Sequence, residues 1–245
     1  MCGRFGQISK PAKYISRFGL NASEMQDVAP NYNTDIGSEA IIISPEGDLK
    51  KSMFGFTPAW SQKLIYLFNA RCEGDFNPTN DQGYEGEMGI FDKPSFRHVI
   101  KSQRAVVPLD YFVEGPEKER LKKPFIVQRK DKEPFLLAAI YNPWKDKETG
   151  ELIHTFAILT TAANKLVAKV GHHRCPLVLA SKQLQDWFNP NASIDELSKL
   201  MRPFDGSEYE AYPVDPQIGK RNTKKSPNND ADLIVPIGEK PSKSP

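Results

Sequence analysis

Four runs of sequence decide the fold: RAVVP at 104–108, PFIVQ at 124–128, PFLLAAI at 134–140 and TFAILT at 155–160. Each is short, rich in β-branched or aromatic residues, and closed off by Pro, Lys, Asp or Gly, which is how strands are punctuated. A fifth run, EAIIIS at 39–44, has the same character. Working outward, helical spacing is found at 11–18, 94–100 and 162–169, the last with Thr160 and Thr161 as candidate caps. Two further helices are expected at 181–188 and 193–201, the second with the capping-box pair Ser193 and Glu196. Helices and strands are mixed without a regular βαβ alternation. The expected fold is therefore α+β, one domain over residues 1–237, with a largely antiparallel, barrel-like sheet core and peripheral helices. Residues 74–89, GDFNPTNDQGYEGEMG, read as an irregular acidic loop, and 238–245 as a disordered tail.

The 245 residues carry 33 Lys+Arg against 31 Asp+Glu, a net charge of +2. That balance excludes a uniformly basic nucleic-acid binder but leaves room for a local basic cleft. Cys2, Cys72 and Cys175 form no CxxC pair, so neither a disulfide framework nor a zinc ribbon is indicated. No apolar run reaches the ~20 residues of a membrane span, and the first residues lack a signal core. A cytoplasmic monomer with no membrane contact, no cofactor and no metal is the expectation.

Cys2 is the most informative residue. Once Met1 is removed, it carries a free α-amine two carbons from its thiol. The amine condenses with an aldehyde to an imine, and the thiol then closes a five-membered thiazolidine. The second step is intramolecular and so is favoured by proximity. The same residue, as an N-terminal nucleophile, is also suited to attack an amide. Gly3 permits close approach of a ligand to the backbone, and Arg4 is suited to a phosphate or carboxylate.

Cys2 does not stand alone. MCGRF at 1–5 is followed by FGFTPAW at 54–60, FNARCE at 68–73, KPSFR at 93–97, YFVE at 111–114, TTAAN at 160–164 and HHRCPLVL at 172–179. In this order the chain resembles the SOS-response-associated peptidase (SRAP) family, from residue 2 to about residue 236. The resemblance implies a thiol-autopeptidase-like protein that forms a covalent thiazolidine crosslink with abasic sites in single-stranded DNA. Its partner is then single-stranded DNA bearing abasic sites, and a bacterial member would join the nucleoid during DNA damage.

Residue by residue, the resemblance makes Cys2, Asn69, Glu114 and His172 the candidate catalytic set. Asn69 would hold the Cys2 amine or the sugar, Glu114 would act as general acid and base, and His172 would protonate the sugar oxygen. Arg4, Arg71 and Arg174 match basic positions along the DNA backbone, and Trp60 and Phe54 aromatics beside the lesion. Thr161 and Pro30 are further contacts. Taken without the family, Asn69 reads as a buried turn residue, Glu114 as a strand-end carboxylate, Arg71 as half of a surface ion pair and Phe54 as core. His172, His173 and Cys175 suggest a metal site but lack a fourth ligand. The chain also departs from the family pattern. Phe54-Gly55 stands for Trp-Gly, Val113-Glu114-Gly115 for an aromatic-flanked glutamate, His173 for an aspartate and Cys175 for a methionine. Residues 32–36, YNTDI, also differ from the usual segment, and the 74–89 loop is longer. The alternatives are an N-terminal-nucleophile amidase or peptidase acting in trans, and a non-covalent single-stranded DNA binder.

Overall fold

A computed structural model describes residues 2–20 and 28–238. The removal of Met1 and nearly all of the expected tail therefore concern residues outside those described. The strands are β1 (Arg4–Gln7), β2 (Asn31–Asp35), β3 (Glu39–Ile43), β4 (Leu49–Phe54), β5 (Asn69–Arg71), β6 (Arg104–Leu109), β7 (Tyr111–Glu114) and β8 (Phe125–Arg129). They continue as β9 (Phe135–Lys145), β10 (Leu152–Ala162), β11 (Arg174–Pro176), β12 (Val178–Leu179) and β13 (Tyr209–Pro213). The helices are α1 (Pro11–Phe18), α2 (Val99–Ser102), α3 (Lys165–Val170), α4 (Leu184–Phe188) and α5 (Ile194–Leu200).

The barrel expected from the sequence is present. β10 pairs with β4, β4 with β3, β3 with β6, β6 with β9, and β9 returns to β10, so five strands close on themselves. Only the β10–β4 contact in that ring is parallel. A second sheet has the order β13-β8-β7-β1-β2. Residues 105–109 of β6, 135–140 of β9 and 156–159 of β10 are continuously apolar because both their faces are buried, whereas β4 exposes Lys50 and Lys51. Val107, Leu137 and Ile158 pack into one core with Phe5, Phe112 and Val127 of the second sheet. Val106, Leu136 and Leu159 pack into another with Trp187 of α4 and Leu197 of α5. A third core lies on the other face of the second sheet. There Tyr111, Val113 and Ile126 are covered by Ile218 and Leu233 from the C-terminal segment.

Two helix expectations need correction. α3 begins at Lys165, because β10 runs on to Ala162, held there by its pairing with Arg174 of β11. The cap is Asn164, whose side chain accepts from the Val167 amide at 2.9 Å, rather than Thr160 or Thr161. Residues 94–98 form turns, and α2 starts only at Val99. The Ser193 and Glu196 capping box of α5 is formed as expected. Among the described residues, no helix is long and apolar enough to cross a membrane.

Candidate functional site

The register of the second sheet builds the site. Phe5 lies opposite Phe112 and Gly6 opposite Tyr111 in the antiparallel β1–β7 pair. Continued towards the N-terminus, that register carries Gly3 and Cys2 alongside Glu114 and Gly115. Asn69 arrives from β5, which pairs with β10. Its Nδ2 donates to the Cys2 carbonyl at 3.0 Å. His172 sits just before β11, with its Nε2 3.6 Å from Glu114 Oε1. The sequence-predicted set of Cys2, Asn69, Glu114 and His172 is thus brought together from four separate parts of the chain.

Burial governs the chemistry of this cluster. Cys2 is fully buried, and Glu114 and His172 nearly so. Burial, reinforced by the Glu114 charge, pushes the Cys2 thiol far above its usual range. Burial also raises the Glu114 carboxyl and lowers the His172 imidazole to about 4. The Glu114–His172 contact is therefore not a pair of fixed opposite charges, since the imidazole is neutral at pH 7. The His172 ring is oriented by the backbone of Arg174, whose amide nitrogen and carbonyl oxygen lie 3.1 and 3.0 Å from Nδ1.

The DNA-facing residues proposed from the sequence divide sharply by exposure. Trp60 is 61% exposed, and Pro30 is exposed on the approach to β2. Arg71 is partly buried. Its guanidinium donates to the Asn77 carbonyl and, at 3.2 Å, to Asn80 Oδ1, so the 74–89 loop folds over it. Its Nε has no hydrogen-bond partner among the described residues. Arg4 is buried and held within the fold. It donates to Asn33 Oδ1 and to the Gly219 and Lys220 carbonyls, both at 3.1 Å, with Asp35 at 3.9 Å. Arg174 is fully buried and grips Glu73 with both terminal nitrogens, at 3.1 and 2.7 Å. Phe54 is also fully buried and stacks on Phe156 at 5.2 Å between centroids, so its surroundings are core. Thr161 is buried as well, with Oγ1 3.5 Å from Cys175 Sγ.

The metal alternative has no geometric support. The His172 and His173 rings stack at 5.0 Å, and His173 Nδ1 is 2.8 Å from Glu117. The Cys175 thiol donates to the Ala162 carbonyl at 3.2 Å. Among the described residues, no group of three His, Cys, Asp or Glu side chains is placed to hold an ion. Sequence reasoning passed over Glu73 and Asn33, which fix Arg174 and Arg4. The signal for Glu73 was its place in FNARCE, two residues after Arg71.

Comparison with known proteins gives a consistent picture. A family model described as SOS response associated peptidase (SRAP) matches residues 1–221. The abasic site processing protein YoqW of Bacillus subtilis is 30% identical over 243 residues, covering 96% of this chain and 99% of that protein. The abasic site processing protein YedK of Escherichia coli is 27% identical over 250 residues, covering 97% and 100%. A crystal structure of a protein from Bacteroides thetaiotaomicron superposes with a TM-score of 0.79 at 26% identity, covering 96% of this chain and all of that one.

Proposed function

The chain belongs to the SOS response associated peptidase (SRAP) family, and from that premise we propose that it captures abasic sites in single-stranded DNA as a covalent thiazolidine through Cys2. Removal of Met1 frees the Cys2 α-amine. The amine adds to the aldehyde carbon of the ring-opened deoxyribose, and loss of water leaves an imine. The thiol sulfur then bonds to the same carbon, and its proton passes to the imine nitrogen. Glu114 is suited to carry that proton, because burial raises its carboxyl above the ordinary carboxylate range and so makes it a readier proton acceptor than an exposed glutamate. His172, neutral at pH 7, acts as a hydrogen-bonding partner of the sugar and of Glu114 rather than as an imidazolium. Asn69 positions Cys2 by its bond to the carbonyl.

One observation carries this reading: the Cys2 backbone is fastened by Asn69 while its thiol is held protonated by burial and by Glu114. A thiol in that state is a poor leading nucleophile for an amidase, which needs a thiolate. It suits a reaction in which the amine attacks first and the sulfur closes the ring. The test is a denaturing gel of the Met1-processed chain with an abasic oligonucleotide, backed by intact mass. A shifted band is expected for the wild type and none for Cys2→Ala. No band from the wild type, or an undiminished band from Cys2→Ala, would overturn the proposal.

A further inference from the structure

Two basic stretches distant in sequence, PEKERLKK at 116–123 and KRNTKK at 220–225, meet at the edge of the candidate site. Gly115 makes the first possible. A Cβ there would lie 2.3 Å from the Arg120 carbonyl oxygen, so only glycine lets the chain fold back directly after Glu114. Gly219 joins the second to it. A Cβ there would meet the Leu121 side chain at 3.0 Å and its carbonyl at 3.1 Å. Between the two stretches lies an open cleft of about 630 Å³, lined by Lys118, Glu119, Arg120, Lys122, Pro216 and Lys220 among others.

The second stretch is fixed in place. Ile218 and Leu233 anchor its two ends in the third core. Buried Asn228 donates to the Lys220 carbonyl at 3.1 Å and to that of Gln217 at 2.8 Å. The Gly219 and Lys220 carbonyls also receive the Arg4 guanidinium, two residues from Cys2. The first stretch touches the site through Glu117, whose partner His173 stacks on His172.

Much of the positive charge on this surface has no ion-pair partner. Lys118, Arg120, Lys122, Lys220, Lys224 and Lys225 are all exposed, and among the described residues none has an acidic partner within ion-pair distance. The acids nearby are already engaged: Glu119 by Lys123 at 2.9 Å, Asp35 by Arg221 at 2.9 Å, Glu117 by His173, and Asp215 by the Gln217 amide at 2.7 Å. On a chain with a net charge of only +2, such a concentration is segregated rather than average.

We propose that this cleft and the adjoining loop bind the phosphodiester backbone of the DNA that flanks the abasic nucleotide. The proposal rests on the abasic-site reading for the site beside it. The test uses the full chain carrying Cys2→Ala, so that binding is separate from crosslinking, and an oligonucleotide with a tetrahydrofuran abasic analogue. Fluorescence anisotropy is followed across a salt series. Replacing Lys118, Lys122 and Lys220 together by Ala should lower the slope of log Kd against log salt by about 2, at roughly 0.7 per phosphate contact for a single strand. Affinity at low salt should fall about tenfold or more. The control triple replacement Lys50→Ala, Lys145→Ala and Lys182→Ala removes the same charge from exposed positions elsewhere and should leave the slope unchanged. An unchanged slope in the first triple variant, or an equal fall in the control, would overturn the proposal. The wild type is tested for crosslinking in parallel. Failure to crosslink with a reduced slope in the first variant would remove the abasic-site reading and leave the surface standing.

Discussion

The site divides into a buried interior and an exposed rim, and the two hold the same residue types in different service. Arg174 and Phe54 lie inside, with the arginine clasping Glu73 and the phenylalanine stacked on Phe156. Arg71 and Trp60 lie outside, the arginine under a loop and the tryptophan in solvent. Motif matching assigned all four to DNA. Burial separates them: the interior pair is taken up by Glu73 and by Phe156, whereas Trp60 is open to solvent and Arg71 is only partly covered. Substitutions inside should therefore register first in stability, and those outside in binding.

The largest effects that could break this division are inside. Arg174→Met leaves the Glu73 carboxylate buried without its partner and should cost about 3–5 kcal/mol in a denaturant melt. Phe54→Ala opens a cavity beside Phe5, Phe68 and Phe156 and should cost about the same. If either variant melts like the wild type but loses DNA binding, the residue belongs to the rim. Trp60→Ala should leave the melt within about 0.5 kcal/mol and weaken binding by about 1–3 kcal/mol, the range for a base stacked on an aromatic. A large loss of stability with normal binding would move Trp60 to the interior. Arg71→Ala should reduce the salt slope by roughly 0.7–1, the signature of one phosphate contact. An unchanged slope would mean that the Asn77 and Asn80 bonds are the whole of its role.

The same division explains what could be read from the sequence. The barrel strands β6, β9 and β10 were legible because both their faces are buried, which writes itself as unbroken apolar runs, whereas β4, with Lys50 and Lys51 exposed, was not. β1 was not identified as a strand from local pattern, and β7 only by its end at Glu114, since each has four residues and is defined by its partner. Cys2 was legible from its own chemistry, whereas Asn69, Glu114 and His172 entered through the resemblance; read alone, Asn69 is a turn residue and Glu114 a strand-end carboxylate, and only the fold sets them beside Cys2. Arg4 and Arg174 were found as positions, but their surroundings were hidden. The residues that engage them, Asn33 with the 219–220 carbonyls and Glu73, come from remote stretches that no local spacing reveals. The basic stretches at 116–123 and 220–225 were ambiguous for the same reason, since only the folded chain brings them together.

The smallest and sharpest test concerns His172. Its imidazole has a folded-state pKa of about 4 against an ordinary value near 6.5, because burial disfavours the charged ring. Between those values the unfolded chain binds a proton that the native state refuses, so this group makes stability rise with pH across that window and fall as acid is added. Glu114 works the other way. Its raised pKa means that the native state keeps a proton the unfolded chain has released, so its contribution is present in acid and is lost as pH rises through the folded value. The two slopes oppose each other, and a melting curve against pH would show only their difference. The discriminating measurement is the NMR titration of the His172 Cε1 proton, with a midpoint expected near 4. A midpoint near 6.5 would describe a ring in contact with solvent and would transfer His172 from the interior to the rim. It would also restore the imidazolium as a proton donor to the sugar, the role that a neutral ring passes to Glu114.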